Sequence, residues 1–408
     1  METGDIGGLA AASLGAMADA ARIRPGGWLL ASDVEGPLFL GDFIAEALSA
    51  CLAPAAGGID AAPSYGQILY AEGYAAFSAD TEASRRPEGA GRRETRPEGG
   101  YTLAQEGTDT IFALPLLLAA GADYACLERL ALGSRETPGA AEMARRLDEM
   151  GWQRAGITTA PQQPYRAVAE RCGWLSPGRL LGSPFPLREA EALLRRLGRW
   201  DVEIAWVRAY LRDAYELIDR ESEVWMDGST RRRHFSDAGR KRLRQRFRRL
   251  YREELGISYS HGERAARPAS TALGRIVEAC AMVGDRAKAA LALTLARRAG
   301  GPDRLVTMGD GANDAAMLRR ARWSIGVNGP DAARAARIGL ITDDMRHALV
   351  LLRLIGEQAG GVDAVVGLAR EELGGAAVVH LGGEGLTPEL AERHRQMKRR
   401  LRGEFVTY

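Results

Sequence analysis

Short uninterrupted apolar runs are the first regular feature of this chain. They lie at residues 28–32, 154–159, 304–308, 323–327 and 338–342. Runs of this length, bounded by turn-forming residues, predict buried strands. Between them, apolar residues recur at helical spacing, at residues 43–52, 140–150, 287–298 and 314–320. The alternation after residue 287 predicts an α/β fold with a Rossmann-like parallel sheet and crossover helices.

Two long stretches interrupt this alternation and predict insertions into a discontinuous core. We expect the following parts: a core of residues 1–42, 150–175 and 282–355; a first insertion, 43–149; a second, largely helical and basic insertion, 176–281; and a C-terminal extension, 356–408. Residues 102–132 have a helical pattern. Residues 79–100 are polar and rich in Gly, Pro and Arg, which predicts a mobile loop.

Composition narrows the class of protein. The chain has 408 residues, 46% of them apolar, and a net charge of only +2, so composition gives no reason to expect a nucleic-acid or membrane partner. Four cysteines without C-x-x-C spacing predict a reducing compartment and no structural zinc. The longest apolar stretch, residues 111–122, is too short to span a bilayer, and the N-terminus does not resemble a secretory signal. We expect a soluble cytoplasmic protein.

Basic residues are unevenly distributed. Residues 231–252 contain ten arginines, which could bind an anionic substrate or nucleic acid. The alternative, which we favour, is a solvated helix whose charge is offset by acidic neighbours, with Leu243, Phe247 and Leu250 as its buried stripe. Only three basic residues are lysines, at positions 241, 288 and 398. An exposed positive charge in this chain is nearly always arginine, so each lysine invites a specific explanation.

Two carboxylates follow the first predicted strand. Asp33 and Glu35 lie one residue apart, and Gly36-Pro37 ends the strand directly after them. Ligands of open α/β sheets gather at such strand ends. A turn that closes the strand, with Glu35 solvated, would explain the same residues without a functional role.

A second acidic loop follows the run at residues 304–308. In GDGANDAAML, residues 309–318, the glycines allow a tight turn that gathers Asp310 and Asp314 at one strand end. Carboxylates and an Asn side chain in this arrangement form a hard-oxygen site of the kind that Mg²⁺ prefers. Alternatively, Asp314 caps a helix and Asp310 makes a turn.

These loops carry a family resemblance. GDGANDAAML resembles the fourth motif of haloacid-dehalogenase-like (HAD) phosphatases, and SDVEGP resembles their first motif. Lys288 stands where the family has its third-motif lysine, and Thr158 or Thr159 where it has its second-motif hydroxyl. The Asp-x-Glu-Gly-Pro variant is similar to that of a little-characterised, mainly archaeal branch. The resemblance implies a HAD core whose insertions are largely helical caps.

The resemblance also implies a set of roles. Asp33 would be the nucleophile that forms an aspartyl-phosphate, and Glu35 the general acid and base. Phosphoryl oxygens would be bound by Lys288, Thr158 or Thr159, and Asn313. Mg²⁺ would be held by Asp33, Asp310, Asp314 and a backbone carbonyl at Glu35. The family usually has a second Asp where this chain has Glu35, and the longer side chain moves the carboxyl group.

Three functions are compatible with these features. The first is a Mg²⁺-dependent phosphatase of a small phosphorylated metabolite. The second is a catalytically weak HAD-like binding or regulatory subunit of a larger complex, suggested by Glu35 and the C-terminal extension. The third, nucleic-acid binding through residues 231–252, ranks lowest. The sequence is compatible with a homo-oligomer and predicts no membrane partner.

Overall fold

The computed structural model describes residues 14–52, 57–85, 107–257, 269–280 and 282–403, and these residues form two compact units. The sheet unit comprises the described residues of Ala12–Asp42, Ala131–Ser183 and Val283–Tyr408. The insert unit comprises those of Phe43–Leu130 and Pro184–Met282. The central parts of both predicted insertions therefore belong to one compact unit. Residues 131–149, residues 176–183 of the predicted second insertion and the described C-terminal extension group with the sheet instead.

Eleven strands lie in the described part of the chain. In chain order they are β1 Leu29–Ser32, β2 Phe39–Leu40, β3 Arg135–Glu136, β4 Gln153–Pro161, β5 Leu180–Ser183, β6 Ser222–Asp227, β7 Thr230–Phe235, β8 Leu305–Gly309, β9 Trp323–Val327, β10 Ile338–Ile341 and β11 Val378–Leu381. Seven of them form the central sheet in the order β11-β10-β9-β8-β1-β4-β5. Only β11 is antiparallel to its neighbour. The predicted α/β fold with a Rossmann-like, mostly parallel sheet is confirmed.

Helices account for most of the remaining described residues. The α-helices are Leu14–Ala20, Phe43–Cys51, Tyr65–Arg85, Thr108–Ile111, Ala113–Ala119, Tyr124–Gly133, Ala140–Glu149, Gln162–Cys172, Leu187–Arg196, Trp200–Arg220, Asp237–Arg248, Ala272–Ala279, Asp285–Ala299, Ala315–Arg320, Pro330–Ala335, Arg346–Gly356, Val362–Leu373 and Pro388–Arg402. Asp285–Ala299 is called the lysine helix below, and Pro388–Arg402 the C-terminal helix. None of the helices that the structure describes is long and apolar enough to cross a membrane.

The core of the sheet unit places the lysine helix against the central strands. Leu29 and Ile157, from β1 and β4, belong to the same buried cluster as Leu291 and Leu295 of the lysine helix. Several alanines of this helix are buried in the same cluster. Small side chains allow a helix to lie close to a sheet, and close packing of this kind resists displacement. The helix that carries Lys288 is therefore firmly held.

Two sequence-based assignments in the insert unit were wrong. Residues 79–85, predicted as part of a mobile loop, belong to the helix Tyr65–Arg85, and residues 86–100 lie outside the described residues. Residues 231–235, predicted as helical, belong to β7, which pairs with β6 in an antiparallel hairpin. Asp227 pairs with Thr230, so the two-residue turn is Gly228-Ser229, a known hairpin signal that the helical assignment overlooked.

The arginine-rich stretch is extensively ion-paired. Arg240 and Arg244 both contact Glu72, at 2.5 and 2.6 Å, and the Glu72 side chain is only 2% exposed. Arg246 contacts Asp213 at 2.8 Å. Leu243, Phe247 and Leu250 are buried, as the apolar stripe predicted. These pairs neutralise much of the local charge, which supports the interpretation of the helical part of this stretch, Asp237–Arg248, as an ordinary ion-paired helix.

Candidate active site

The first acidic loop begins as a continuation of β1. The backbone N–H of Asp33 donates to the carbonyl of Met308 at 2.8 Å, so the ladder between β1 and β8 extends to Asp33. The Asp33 side chain is buried, and its Oδ1 accepts a hydrogen bond from the backbone N–H of Val34 at 2.8 Å. Asp33 is thus fixed at the carboxyl end of the strand, where parallel sheets gather their ligands.

Gly36 allows this loop to approach the second acidic loop. Its φ of 101° lies in the left-handed region that favours glycine. A Cβ atom here would lie 2.4 Å from both Cγ and Oδ2 of Asp310. The Gly36 carbonyl accepts a hydrogen bond from Thr137 Oγ1 at 2.7 Å. A side chain at position 36 would therefore displace the Asp310 carboxylate or the loop itself.

Asp314 organises the second acidic loop from within. Its Oδ2 accepts hydrogen bonds from the backbone N–H groups of Asp310, at 3.0 Å, and Gly311, at 3.1 Å. Residues Ala312–Asp314 form a short 3₁₀ turn that leads into the helix Ala315–Arg320. The loop thus gathers Asp310 and Asp314 at one strand end, as its glycines and carboxylates predicted.

Lys288 joins the two acidic loops. Its Nζ lies 2.9 Å from Asp33 Oδ1 and 2.7 Å from Asp314 Oδ1, and all three side chains are buried. The lysine helix is positioned at its start, because Val283 accepts a hydrogen bond from Thr159 Oγ1 and donates one to Ser183 Oγ, both at 2.9 Å. Lys288 thus lies beside Asp33 and Asp314 at the carboxyl edge of the sheet.

The charges of this cluster shift one another's titration. Burial lowers the pKa of Lys288, but the carboxylates of Asp314 and Asp33 raise it more, so the net shift is upward. Burial and the Asp314 carboxylate raise the pKa of Asp33 well above its usual value, although Lys288 opposes them. Lys288 is therefore a permanent cation, and additional positive charge nearby would favour ionised Asp33.

The three aspartates could hold a metal ion. Asp33, Asp310 and Asp314 are all buried, and each offers an oxygen that lies within 4.8 Å of those of the other two. A set of carboxylate oxygens suits a hard cation such as Mg²⁺ or Ca²⁺ better than a soft one. This group of three does not include the Glu35 side chain.

Glu35 has a different partner. Its Oε1 accepts a hydrogen bond from the hydroxyl of Tyr165 at 3.2 Å, and Tyr165 is buried in the helix Gln162–Cys172. Sequence reasoning had no basis for selecting Tyr165, because an aromatic residue on an amphipathic helix is typical of an ordinary core position. The hydrogen bond fixes the direction of a side chain that is one methylene longer than Asp.

The two threonines of β4 have different environments. Thr159 donates to the carbonyl of Val283, and it accepts a hydrogen bond from Asn313 Nδ2 at 3.3 Å. The Thr158 hydroxyl accepts one from the backbone N–H of Ala160 at 3.1 Å. Among the hydrogen bonds of the described residues, none uses the Thr158 hydroxyl proton.

The C-terminal helix contributes two residues that the sequence-based prediction missed. Lys398 Nζ lies 3.2 Å and Arg402 Nη1 2.7 Å from Asp310 Oδ2. Arg402 also donates to the carbonyl of Gly41. Burial raises the pKa of Asp310, but Lys398 and Arg402 lower it more, so the net shift is downward. The rarity of lysine in this chain was the one sequence signal that pointed to Lys398.

Comparison with known proteins supports the fold. No protein-family model and no curated protein matches this chain. The chain is similar to the solved structure of gene product AF1437 from Archaeoglobus fulgidus, with a TM-score of 0.58 and 21% sequence identity. The match covers 92% of this chain and 97% of that one. At this identity the similarity establishes the shared α/β architecture and carries no information on activity.

Proposed function

We propose that this protein is a Mg²⁺-dependent phosphomonoester hydrolase that acts on a small phosphorylated metabolite through an aspartyl-phosphate. The observation that carries the proposal is the buried cluster of Asp33, Asp310 and Asp314 with Lys288 between two of them. The cluster brings three buried carboxylates together at one sheet edge, and each offers an oxygen within 4.8 Å of those of the other two. Such an arrangement suits phosphoryl transfer, which needs a nucleophile and concentrated positive charge.

Asp33 is the best candidate for the nucleophile. Both described hydrogen bonds to its side chain, from Val34 and Lys288, fall on Oδ1. Oδ2 is therefore the oxygen that can attack phosphorus, while Oδ1 holds the carboxylate in place. When bound, Mg²⁺ would supply positive charge that neutralises the phosphoryl oxygens and favours ionised Asp33. Its ligands would come from Asp33 and Asp310, with Asp314 beside them.

The remaining polar groups have separate roles. Lys288 neutralises charge that develops on the phosphoryl group, and the Thr158 hydroxyl donates to one of its oxygens. Thr159 and Asn313 hold the start of the lysine helix and the second acidic loop together, and their binding of phosphate stays a prediction. Glu35, oriented by Tyr165, gives a proton to the leaving oxygen and later takes one from the attacking water.

The test is phosphate release from a broad panel of phosphomonoesters, with and without Mg²⁺. The wild type should release phosphate only with the ion, and Asp33→Asn should lose this release completely. Asp303→Asn is the matched control, because the same change is made on a side chain that is 83% exposed. Full activity in Asp33→Asn would contradict the nucleophile assignment.

One observation favours a second function, a binding or regulatory subunit of a larger complex. Lys398 and Arg402 pair with Asp310, so this carboxylate has cationic partners from the chain itself without an ion. If no phosphomonoester is hydrolysed but the wild type binds inorganic phosphate and Asp33→Asn does not, this second function replaces the first.

A further inference from the structure

The C-terminal helix directs two cations at one carboxylate. Lys398 and Arg402 share Asp310 Oδ2, and Lys398 Nζ also donates to the Asp310 carbonyl at 3.0 Å. The side chains of Lys398 and Arg402 are only 6% and 8% exposed. Because solvent screens such buried contacts weakly, they are stronger than ion pairs on the surface.

The side of the C-terminal helix that carries Lys398 and Arg402 is largely polar. Ala391, His394, Lys398 and Arg402 follow one another at intervals of three or four residues and therefore share one side of the helix. Nε2 of His394 lies 2.8 Å from Nε2 of His380 on β11, which fixes the middle of the helix to the sheet. Burial of a lysine and an arginine is costly without a partner carboxylate. Asp310 supplies that partner.

Charge balance links these residues to the proposed ion site. The three clustered carboxylates face three cations, Lys288, Lys398 and Arg402, and every contact between them is 3.2 Å or shorter. Each of the three carboxylates therefore already has a cation in contact, and the carboxylates of Glu35 and Asp42 also act on Arg402. A divalent ion at the same carboxylates would add two positive charges next to Lys398 and Arg402, and like charges repel strongly in a buried site.

We propose that Lys398 and Arg402 are positioning residues that compete with the divalent ion for Asp310. Binding of the ion then opposes the contacts that hold the C-terminal helix against Asp310, and these contacts oppose binding of the ion. The inference rests on the ion site of the proposed function, but it does not depend on the identity of the substrate. Because such coupling is reciprocal, removal of the two cations tightens ion binding, and the ion in turn loosens the helix.

The first test is a calorimetric titration of the full chain with Mg²⁺. The double variant Lys398→Met/Arg402→Met should bind Mg²⁺ about 5- to 150-fold more tightly than the wild type, the usual range of coupling between sites. Arg400→Met is the matched control, because Arg400 lies on the same helix, is 67% exposed and contacts Asp343 at 3.1 Å. It should bind Mg²⁺ as the wild type does. Equal or weaker binding by the double variant would overturn the proposal.

The second test uses the unmodified protein, so a folding defect cannot obscure it. Amide hydrogen exchange in the C-terminal helix should become faster when Mg²⁺ is added, whereas unchanged or slower exchange would overturn the proposal. If Mg²⁺ binds to neither protein, the ion site itself is wrong. If Mg²⁺ binds equally to both and phosphate is still released, only the competition is wrong and the phosphatase assignment stands.

Discussion

The two buried lysines of this protein reach the same edge of the sheet from two helices that are far apart in sequence. Lys288 lies on the lysine helix in the middle of the α/β alternation and contacts Asp33 and Asp314. Lys398 lies on the C-terminal helix, far away in sequence, and contacts Asp310. The third lysine, Lys241, is exposed. Both buried lysines therefore serve the candidate active site.

Asp314, which contacts Lys288, and Asp310, which contacts Lys398, differ in their other contacts. Asp314 is also bound by two backbone N–H groups of its own loop, so the Lys288 cluster is part of the folded core. Asp310 receives its side-chain contacts from Lys398 and Arg402, on a single helix near the end of the described chain. The Lys288–Asp314 contact is therefore supported by the loop backbone, whereas the contacts of Asp310 depend on the position of the C-terminal helix.

The largest expected effects are losses of stability when each of the three lysines is replaced by methionine, and the three losses should differ. Lys288→Met leaves two buried carboxylates without their cation, which should cost about 3–5 kcal/mol of unfolding free energy and abolish phosphate release. Lys398→Met should cost less, because Arg402 still pairs with Asp310. Lys241→Met, on the surface, should change stability by less than about 0.5 kcal/mol. Urea unfolding measures all three, and equal losses for Lys288 and Lys398 would contradict the distinction.

A smaller effect is expected where the first acidic loop meets Asp310. Gly36→Ala places a methyl group against the Asp310 carboxylate and strains a positive φ, so it should cost about 1–3 kcal/mol. A displacement of about 1 Å at Asp310 should also slow phosphate release about 100-fold. Gly26→Ala is the control, because Gly26 has a φ of 88° but an added Cβ there would meet no atom of the described residues within 4 Å. Equal losses in the two variants would show that backbone strain, not contact with Asp310, is responsible.

The weakest effect concerns the histidine that anchors the C-terminal helix. Burial, His380 and Arg393 lower the pKa of His394 from 6.5 to about 3. The unfolded chain therefore binds this proton near pH 6.5 while the folded chain does not, and stability falls as the pH drops from 6.5 towards 3. Between about pH 6.5 and 5.5 the loss should be about 1 kcal/mol. His394→Gln should reduce this dependence in urea unfolding, and an unchanged dependence would exclude His394 as its source.

The Lys288 side of the site could be predicted from the sequence, because its elements follow regular patterns. Apolar runs predicted β1 and β8, and the glycines and carboxylates after these runs predicted the two acidic loops. The C-terminal helix could not be placed in the same way, because its buried face contains His394, Lys398 and Arg402. Hydrophobic periodicity cannot identify a face that is buried through ion pairs. The β6–β7 hairpin was missed for a related reason, since three successive arginines in β7 conceal strand alternation.

Phosphorylation of Asp33 during turnover is the step on which the proposed function depends. It can be detected by mass spectrometry of peptides from a reaction quenched in acid, with Mg²⁺ and the best substrate of the panel. Glu35→Gln should slow turnover about 10²- to 10⁴-fold and allow the intermediate to accumulate, because Glu35 activates the attacking water. We predict one phosphoryl group on the peptide that contains Asp33 and none in Asp33→Asn/Glu35→Gln. Phosphate release without a phosphoryl group on Asp33, or with one on another residue, would contradict the proposed mechanism.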